Sequence, residues 1–413
     1  MQREIVPAIG CTEPIAVALC TAKATETLGQ KPEKIEASLS ASIIKNAMGV
    51  GIPGTDMIGL PIAIALGALA GKPEHGLEVL KDTSAQDVEK GKTFIEEKRI
   101  QISLETKNPD KLYIEVRCTA DNDTAIAVIS GGHTTFTRIA KNDEILFEKA
   151  VSHQQDEEEE AALTFDKVYA YAMETPLDEI AFILDAAEMN KKASEASKDN
   201  NYGHNVSKTI SGARGQLIFG DNMHSRMVAA TSGACDVRMD GAMVPVMSNS
   251  GSGNQGIAAT LPVLTYAENI NCTREQFIRS LIISNLTMIY IKQYLGRLSA
   301  LCGCVVASTG ASCGITYLMG GNYDQMVFAA KNMVADITGM ICDGAKPSCA
   351  LKIASGVSTA TLSALMAIEN KVVSSQEGII DDDIDKTIRN LALIGNQGMM
   401  ETDKIVLDIM TKK

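Results

Sequence analysis

The rhythm of hydrophobic and polar positions changes near residue 163. Before it, the runs 35–44, 98–105, 112–118, 124–130, 134–140 and 144–149 tend to alternate apolar and polar residues, the period of a half-buried strand. Asn-Pro-Asp, Asp-Asn-Asp, Gly-Gly and Lys-Asn-Asp clusters separate the later runs and favour turns, so an antiparallel sheet is expected. Beyond it, apolar residues recur every three to four positions over 163–173, 176–193, 223–231, 257–268, 274–294, 323–341, 349–368 and 383–410, which predicts helices. Several are apolar nearly all round, as central helices of a bundle are. Residues 12–28 also read as a helix, with Pro14 in its first turn and Gly29 to close it. The pattern predicts the α+β class: a small antiparallel-sheet α+β domain at 30–155 and a large all-helical domain at 156–413, with the helix at 11–28 packing on the latter. The acidic run 153–160 (HQQDEEEE) reads as a solvated linker.

Composition narrows the classes of function. With 413 residues, 45% hydrophobic and 22% charged, the chain has ample material for a buried core. Asp plus Glu (51) outnumber Lys plus Arg (38), for a net charge of −13. A polyanion is repelled by such a surface, and the absence of Trp leaves few stacking platforms, so no nucleic-acid partner is expected. The stretch 58–70 is apolar but carries a proline and falls short of the roughly 18 residues a membrane span needs, so it reads as a buried helix. The opening MQREIVPAIG has no apolar signal core. A cytoplasmic protein without membrane contact is therefore expected, and the apolar helices make a homodimer plausible. Ten cysteines in such a compartment are poorly explained by disulfides, and five of them lie between Cys302 and Cys349.

Those cysteines are the first chemical signal. Cys302-Gly-Cys304, Cys313, and the pair Cys342 and Cys349 match neither a zinc ribbon nor a ferredoxin run. They do offer soft thiolates on helix ends and turns, a ligand type that suits iron–sulfur clusters. Small hydrophobes in tightly packed helices is the competing reading. A thiolate at Cys349, where a helix opens, is expected to have a lowered pKa. The second signal is the stretch Ser248 to Gly256, in which Asn249, Ser250, Gly251, Ser252, Gly253, Asn254 and Gln255 precede a helix. Its backbone and side-chain donors would cradle a carboxylate or phosphate, although it is neither a Walker A loop nor a Rossmann fingerprint. The third is Gly10-Cys11-Thr12-Glu13-Pro14, with a thiol at a helix start and an acid beside it. The fourth is His133, after two glycines in a turn between strands, which could reach a ligand or simply decorate the turn. No lysine sits in a recognisable Schiff-base setting; Lys45, the nearest, reads better as a surface or substrate-contacting residue.

Taken in order, GCTEP (10–14), SNSGSGNQG (248–256), RLSALC (297–302) and MICDGAKPSCALK (340–352) resemble the L-cysteine desulfidases, relatives of the α chain of iron–sulfur L-serine dehydratases. The likeness runs over nearly the whole chain. It implies a [4Fe-4S] cluster on three protein thiolates and breakdown of L-cysteine to pyruvate, ammonia and hydrogen sulfide without pyridoxal phosphate. Cys302 and Cys342 match cluster ligands. Cys349 matches the third ligand of the dehydratases, and Cys11 matches a functional cysteine of the desulfidases, either third ligand or acid/base thiol. Two departures stand out. Gly303-Cys304-Val-Val replaces the Gly-Cys-Gln-Gly-Glu of the dehydratases, which disfavours serine as main substrate and makes Cys304 a competitor of Cys302. Relatives also usually carry a longer leader before the residue matching Cys11, so this chain is expected to begin short.

The resemblance and the residues imply a β-elimination. The 248–256 stretch would hold the substrate carboxylate, and Cys11 or His133 would take the Cα proton, with Glu13 a further acid/base candidate. The cluster would act as Lewis acid toward the substrate sulfur. An L-serine dehydratase on the same scaffold and a non-catalytic cysteine or redox sensor are the alternatives.

Overall fold

Period-two alternation builds one six-stranded sheet. In a computed structural model, which describes residues 1–108, 110–142, 144–149, 162–296 and 298–412, its order is Ile100–Leu104, Lys34–Leu39, Tyr113–Ala120, Asp123–Ser130, Phe136–Lys141 and Glu144–Glu148. The sheet is not wholly antiparallel as expected: Lys34–Leu39 and Ile100–Leu104 run parallel. Parallel neighbours need a crossover, and here it carries the helices Ala41–Ala47, Leu60–Leu69 and Ala85–Glu96. The first of these starts within 35–44, expected to be one strand. The strand ends at Leu39 because the Ser and Ala residues around position 40 blur the period, and the adjacent Ile43 and Ile44 break it.

Ile35, Ala37, Leu39, Ile114, Val116, Ala125, Ala127 and Ile129 bury one face of the sheet. Against it lies the helix Thr12–Leu28, itself backed by Leu60–Leu69. This corrects the expected placement of the 11–28 helix with the helical domain. The two helices are nearly in backbone contact, since a Cβ on Gly67 would stand 2.5 Å from the Ala18 carbonyl oxygen. A helix buried on almost every side carries no polar stripe to reveal its partner.

The second core belongs to a bundle of Met223–Met239, Gly253–Glu268, Arg274–Leu295, Gly303–Leu318 and Cys349–Ile368, flanked by Tyr323–Ile337. Gly303–Leu318 is central and is not legible as a helix, because small residues dominate GCVVASTGASCGITYL up to Gly314 and blur its period. Those small residues allow close approach: a Cβ on Gly310 would stand 2.1 Å from the Ser284 carbonyl oxygen. The expected 176–193 helix divides into Leu177–Ile180 and Ile183–Asp199, and the expected 383–410 helix into Ile384–Leu393 and Met400–Thr411. Pro7–Ala8 pairs antiparallel with Val246–Met247 and ties the N-terminal segment to the bundle. Among the described residues one helix, Cys349–Ile368, is long and apolar enough to cross a membrane by length and composition; it packs against Gly303–Leu318 and Met223–Met239. The 153–160 run and the 155/156 boundary lie outside the described residues.

Candidate functional site

The cavity between the sheet unit and the bundle is where the chemical residues meet. It encloses about 880 Å³, mouth included, and its lining contains Cys11, Glu13, His133, Ser250, Gly251, Ser252, Asn254, Gln255, Cys302, Cys304, Cys342 and Cys349. A wider cleft adjoins it and shares His133, Ser250, Gly251, Lys292 and Leu298 with its wall. Interfaces between structural units are favoured places for small-molecule sites.

Local structure explains how distant thiols arrive together. Leu301 and Ile341 form an isolated antiparallel bridge, flanked by Cys302 N–H to Met340 O (2.9 Å) and Cys342 N–H to Ala300 O (2.7 Å). In such a ladder the residues that follow Leu301 and Ile341 project to one face, which puts Cys302 and Cys342 on the same side. Cys302 then caps the helix Gly303–Leu318, and Cys349 opens Cys349–Ile368. The loop between Cys342 and Cys349 is held by Asp343, which accepts from Lys346 (2.6 Å) and from Lys352. Burial works against the Asp343 charge, but the hydrogen bonds and charges of the two lysines outweigh it and bring its carboxyl down to about 2.

The electrostatics of these thiols differ from the expectation for helix starts. Burial pushes Cys302 well above the usual thiol value, and the neighbouring sulfurs of Cys304, Cys342 and Cys349 add to the effect. Burial also raises Cys349, overriding the donors and cations of Lys346 and Lys352. A lowered pKa at Cys349 is thus corrected: desolvation outweighs the helix terminus in the protein without metal. Cys304 is distinct. Its Sγ donates to Lys352 O at 3.2 Å and lies 3.5 Å from Ser308 Oγ, and burial takes it up to about 11. Cys302, by contrast, meets the backbone N–H of Cys304, which offsets part of its rise. All ten cysteines are free.

Among the described residues no three His, Cys, Asp or Glu side chains form a cage for a single metal ion. The donor chemistry fits a larger group instead. Three soft thiols of Cys302, Cys342 and Cys349 face one cavity and repel one another when ionised, and a cationic iron–sulfur core is a group that would supply the counter-charge there.

Cys11 caps the helix Thr12–Leu28 and is almost wholly buried. Its Sγ donates to Glu13 Oε2 at 3.1 Å, and Asn46 Nδ2 donates to Glu13 Oε1 at 3.1 Å. Burial, then the Glu13 charge, raises the Cys11 thiol well above its ordinary value, with Arg238 acting in the other direction. A carboxylate that accepts from a thiol can share or pass one proton. His133 is buried in the turn between Asp123–Ser130 and Phe136–Lys141 and reaches both the cavity and the cleft.

The 248–256 stretch is less free than its composition implied. The amides of Ser248 and Ser250 donate to Val6 O (2.9 Å) and Glu4 O (3.0 Å), and those of Asn249 and Ser252 to each other's carbonyls. Asn249 lies behind the wall, its Nδ2 bonded to Asn285 Oδ1 at 3.0 Å, and Gly253 is also absent from the lining. The amides of Ser248, Asn249, Ser250 and Ser252 are thus committed to protein carbonyls, which narrows the expected cradle to the remaining amides and the side chains. What faces the cavity is side chains and the first turn of Gly253–Glu268. Ser250 and Gly251 both take left-handed φ values, 48° and 80°, which explains the glycine at 251.

Sequence reasoning missed Arg238 and Lys292 and read Lys45 as a surface or substrate-contacting residue rather than a Schiff-base lysine; all three line the cavity. Arg238 had one signal, a lone guanidinium in the small-residue run ATSGACDVRM. Lys45 is buried, donates to Cys342 O at 3.3 Å and pairs with Asp403 of the last helix.

Fold and site together describe an α+β protein whose helical unit brings thiols to one cavity. A family model for the serine dehydratase alpha chain matches residues 74–408. A UPF0597 protein of Bacteroides fragilis is 64% identical over 414 residues, covering 100% of this chain and 97% of its own. UPF0597 proteins of Bacteroides thetaiotaomicron (62% over 414 residues, 96% of its chain) and Porphyromonas gingivalis (53% over 420 residues, 97% of its chain) are similar across the whole of this chain. The chain belongs to the serine dehydratase alpha-chain family, within its UPF0597 relatives.

Proposed function

We propose that this protein is a cytoplasmic carbon–sulfur lyase that eliminates hydrogen sulfide from L-cysteine, leaving pyruvate and ammonia, with a [4Fe-4S] cluster held by Cys302, Cys342 and Cys349. The observation that carries the reading is the convergence of those thiols, the Cys11–Glu13 pair and the 250–255 side chains on one cavity. When bound, such a cluster supplies a thiophilic Lewis acid for the departing sulfur. The chain's own residues supply the rest. Cys11 lines the same cavity, hydrogen-bonded to Glu13, and the pair takes the proton from Cα. His133, at the edge where cavity and cleft meet, is the second proton-handling group. Loss of the Cα–H and Cβ–S bonds gives aminoacrylate and sulfide. The enamine then tautomerises and is hydrolysed by water to pyruvate and ammonium.

Cys349 is preferred to Cys11 as third ligand because it shares the bundle wall with Cys302 and Cys342, whereas Cys11 is engaged by Glu13. The family description favours a second reading, L-serine dehydration, which yields pyruvate without sulfide. Anaerobic iron and sulfide analysis with parallel turnover of L-cysteine and L-serine tests both. Faster pyruvate and sulfide release from L-cysteine supports the desulfidase. Pyruvate from L-serine alone supports the dehydratase. Metal-free protein that releases sulfide at the full rate removes the cluster from the scheme.

A further inference from the structure

Arg238 is only 2% exposed, at the end of the helix Met223–Met239, and lines the cavity. Its Nε has no hydrogen-bond partner, and among the described residues no carboxylate lies within ion-pair distance of it. Two other buried cations have partners: Lys45 pairs with Asp403, and Lys331 donates to Asp382 O at 2.7 Å. A guanidinium withdrawn from water without an anion is costly, so a structure that keeps one is built for an anion that arrives later.

The neighbouring backbone makes room for it. A Cβ on Gly253 would stand 2.2 Å from Arg238 Nε, although residue 253 is ordinary helix with no left-handed φ to require glycine. Glycine at 253 is therefore explained by space for the guanidinium rather than by a turn. A second cleared space lies alongside: a Cβ on Gly303 would stand 2.3 Å from Gln255 Nε2. The side-chain oxygens of Asn254 and Gln255 are buried in the same wall and likewise lack partners.

We propose that Arg238 is the carboxylate anchor of the site, and that the Asn254 and Gln255 oxygens receive the ammonium, so the cavity selects a zwitterionic α-amino acid. The assignment rests on the proposed amino-acid lyase reading and places the carboxylate on a side chain rather than on the loop amides, of which those of Ser248, Asn249, Ser250 and Ser252 are taken by protein carbonyls. A planar guanidinium meets a carboxylate with two parallel hydrogen bonds, which an amide or an ammonium cannot reproduce.

The test is anaerobic calorimetry on the full chain with two probes, L-alanine, which has no leaving group, and ethylamine, which also lacks the carboxylate. Iron content is measured on the same samples. The wild type is expected to prefer L-alanine. Arg238→Gln should weaken L-alanine binding by ~10- to 100-fold, the range for losing a charge-assisted hydrogen bond, with ethylamine binding and iron unchanged. Arg238→Lys should restore part of the loss. Gly253→Ala, which keeps the charge but crowds Nε, should reproduce it and decides the matter if Arg238→Gln does not fold. The inference is overturned if the wild type does not distinguish the probes, if both Arg238→Gln and Gly253→Ala hold L-alanine as the wild type does, or if Arg238→Gln loses iron while keeping L-alanine affinity. A wild type that binds L-alanine but forms no pyruvate from cysteine or serine sinks the lyase reading and leaves the anchor standing.

Discussion

The last helix, Met400–Thr411, buries only Leu407 among its residues, yet it contributes Asp403 to Lys45 on the cavity wall. Replacing Asp403 with Ala isolates the consequence of that pair. Lys45 is 3% exposed and Asp403 28%, so the interaction lies between the buried and surface limits. Stripping one partner from a buried pair costs about 3–5 kcal/mol, and an exposed pair contributes about 0–1 kcal/mol. An intermediate of about 2 kcal/mol is comparable to everything the burial of one leucine supplies, about 1.5–3 kcal/mol. Local opening of the helix should then rise about 30-fold, because every 1.4 kcal/mol is roughly tenfold. Amide hydrogen exchange across 400–411 reads this directly, since it reports local opening below the global unfolding free energy. The double variant Lys45→Met/Asp403→Ala should recover part of the loss, because it no longer strands a buried ammonium. Unchanged exchange in Asp403→Ala, or a double variant no better than the single one, would refute the account of Lys45 as a buried charge held by the C-terminal helix.

Single Cys→Ser changes at 302, 342 and 349 should each lower bound iron after anaerobic reconstitution. Cys304→Ala should retain it, because the Cys304 Sγ is tied to the Lys352 carbonyl; equal iron loss in all four would mean the ligand set is misassigned. Glu13→Gln should cut kcat by ~10²- to 10⁴-fold, the scale of general acid–base catalysis, while iron content stays at the wild-type level, and normal turnover would exclude the Cys11–Glu13 pair from proton transfer. Asp343, held down to about 2 by Lys346 and Lys352, contributes stability that is fully present above its unfolded value near ~3.9 and is lost as pH falls toward 2. Acid unfolding of the wild type and Asp343→Asn should therefore differ above pH ~4 and converge below it; a constant gap across that range would show that the carboxylate is not what matters.

Much of the architecture is written locally. The turn clusters and alternating runs after residue 97 place the later strands within a residue or three, because a half-buried strand must alternate and its turns need Gly, Asn or Asp. The helix Cys349–Ile368 has the bounds its pattern predicts. Local signals fail where burial is complete. Gly303–Leu318 and Thr12–Leu28 show no polar stripe, so their partners, the bundle core and the sheet, depend on contacts far along the chain.

The site divides the same way. Residue chemistry alone singled out the thiols, the Cys11–Glu13 pair, His133 and the serine- and glycine-rich turn, because the capacity to ligate, transfer a proton or donate belongs to the residue type, but it left packing as a competing reading of the cysteines. Which of them share a wall was decided by tertiary structure: a two-strand bridge sets Cys302 beside Cys342, and the N-terminal segment takes up the amides of Ser248 and Ser250. Arg238 and Lys45 acquire meaning only there. A charge in a sequence has no dielectric around it, and only the folded packing decides whether it lies in water, against a carboxylate, or in a cavity with its partner still to come.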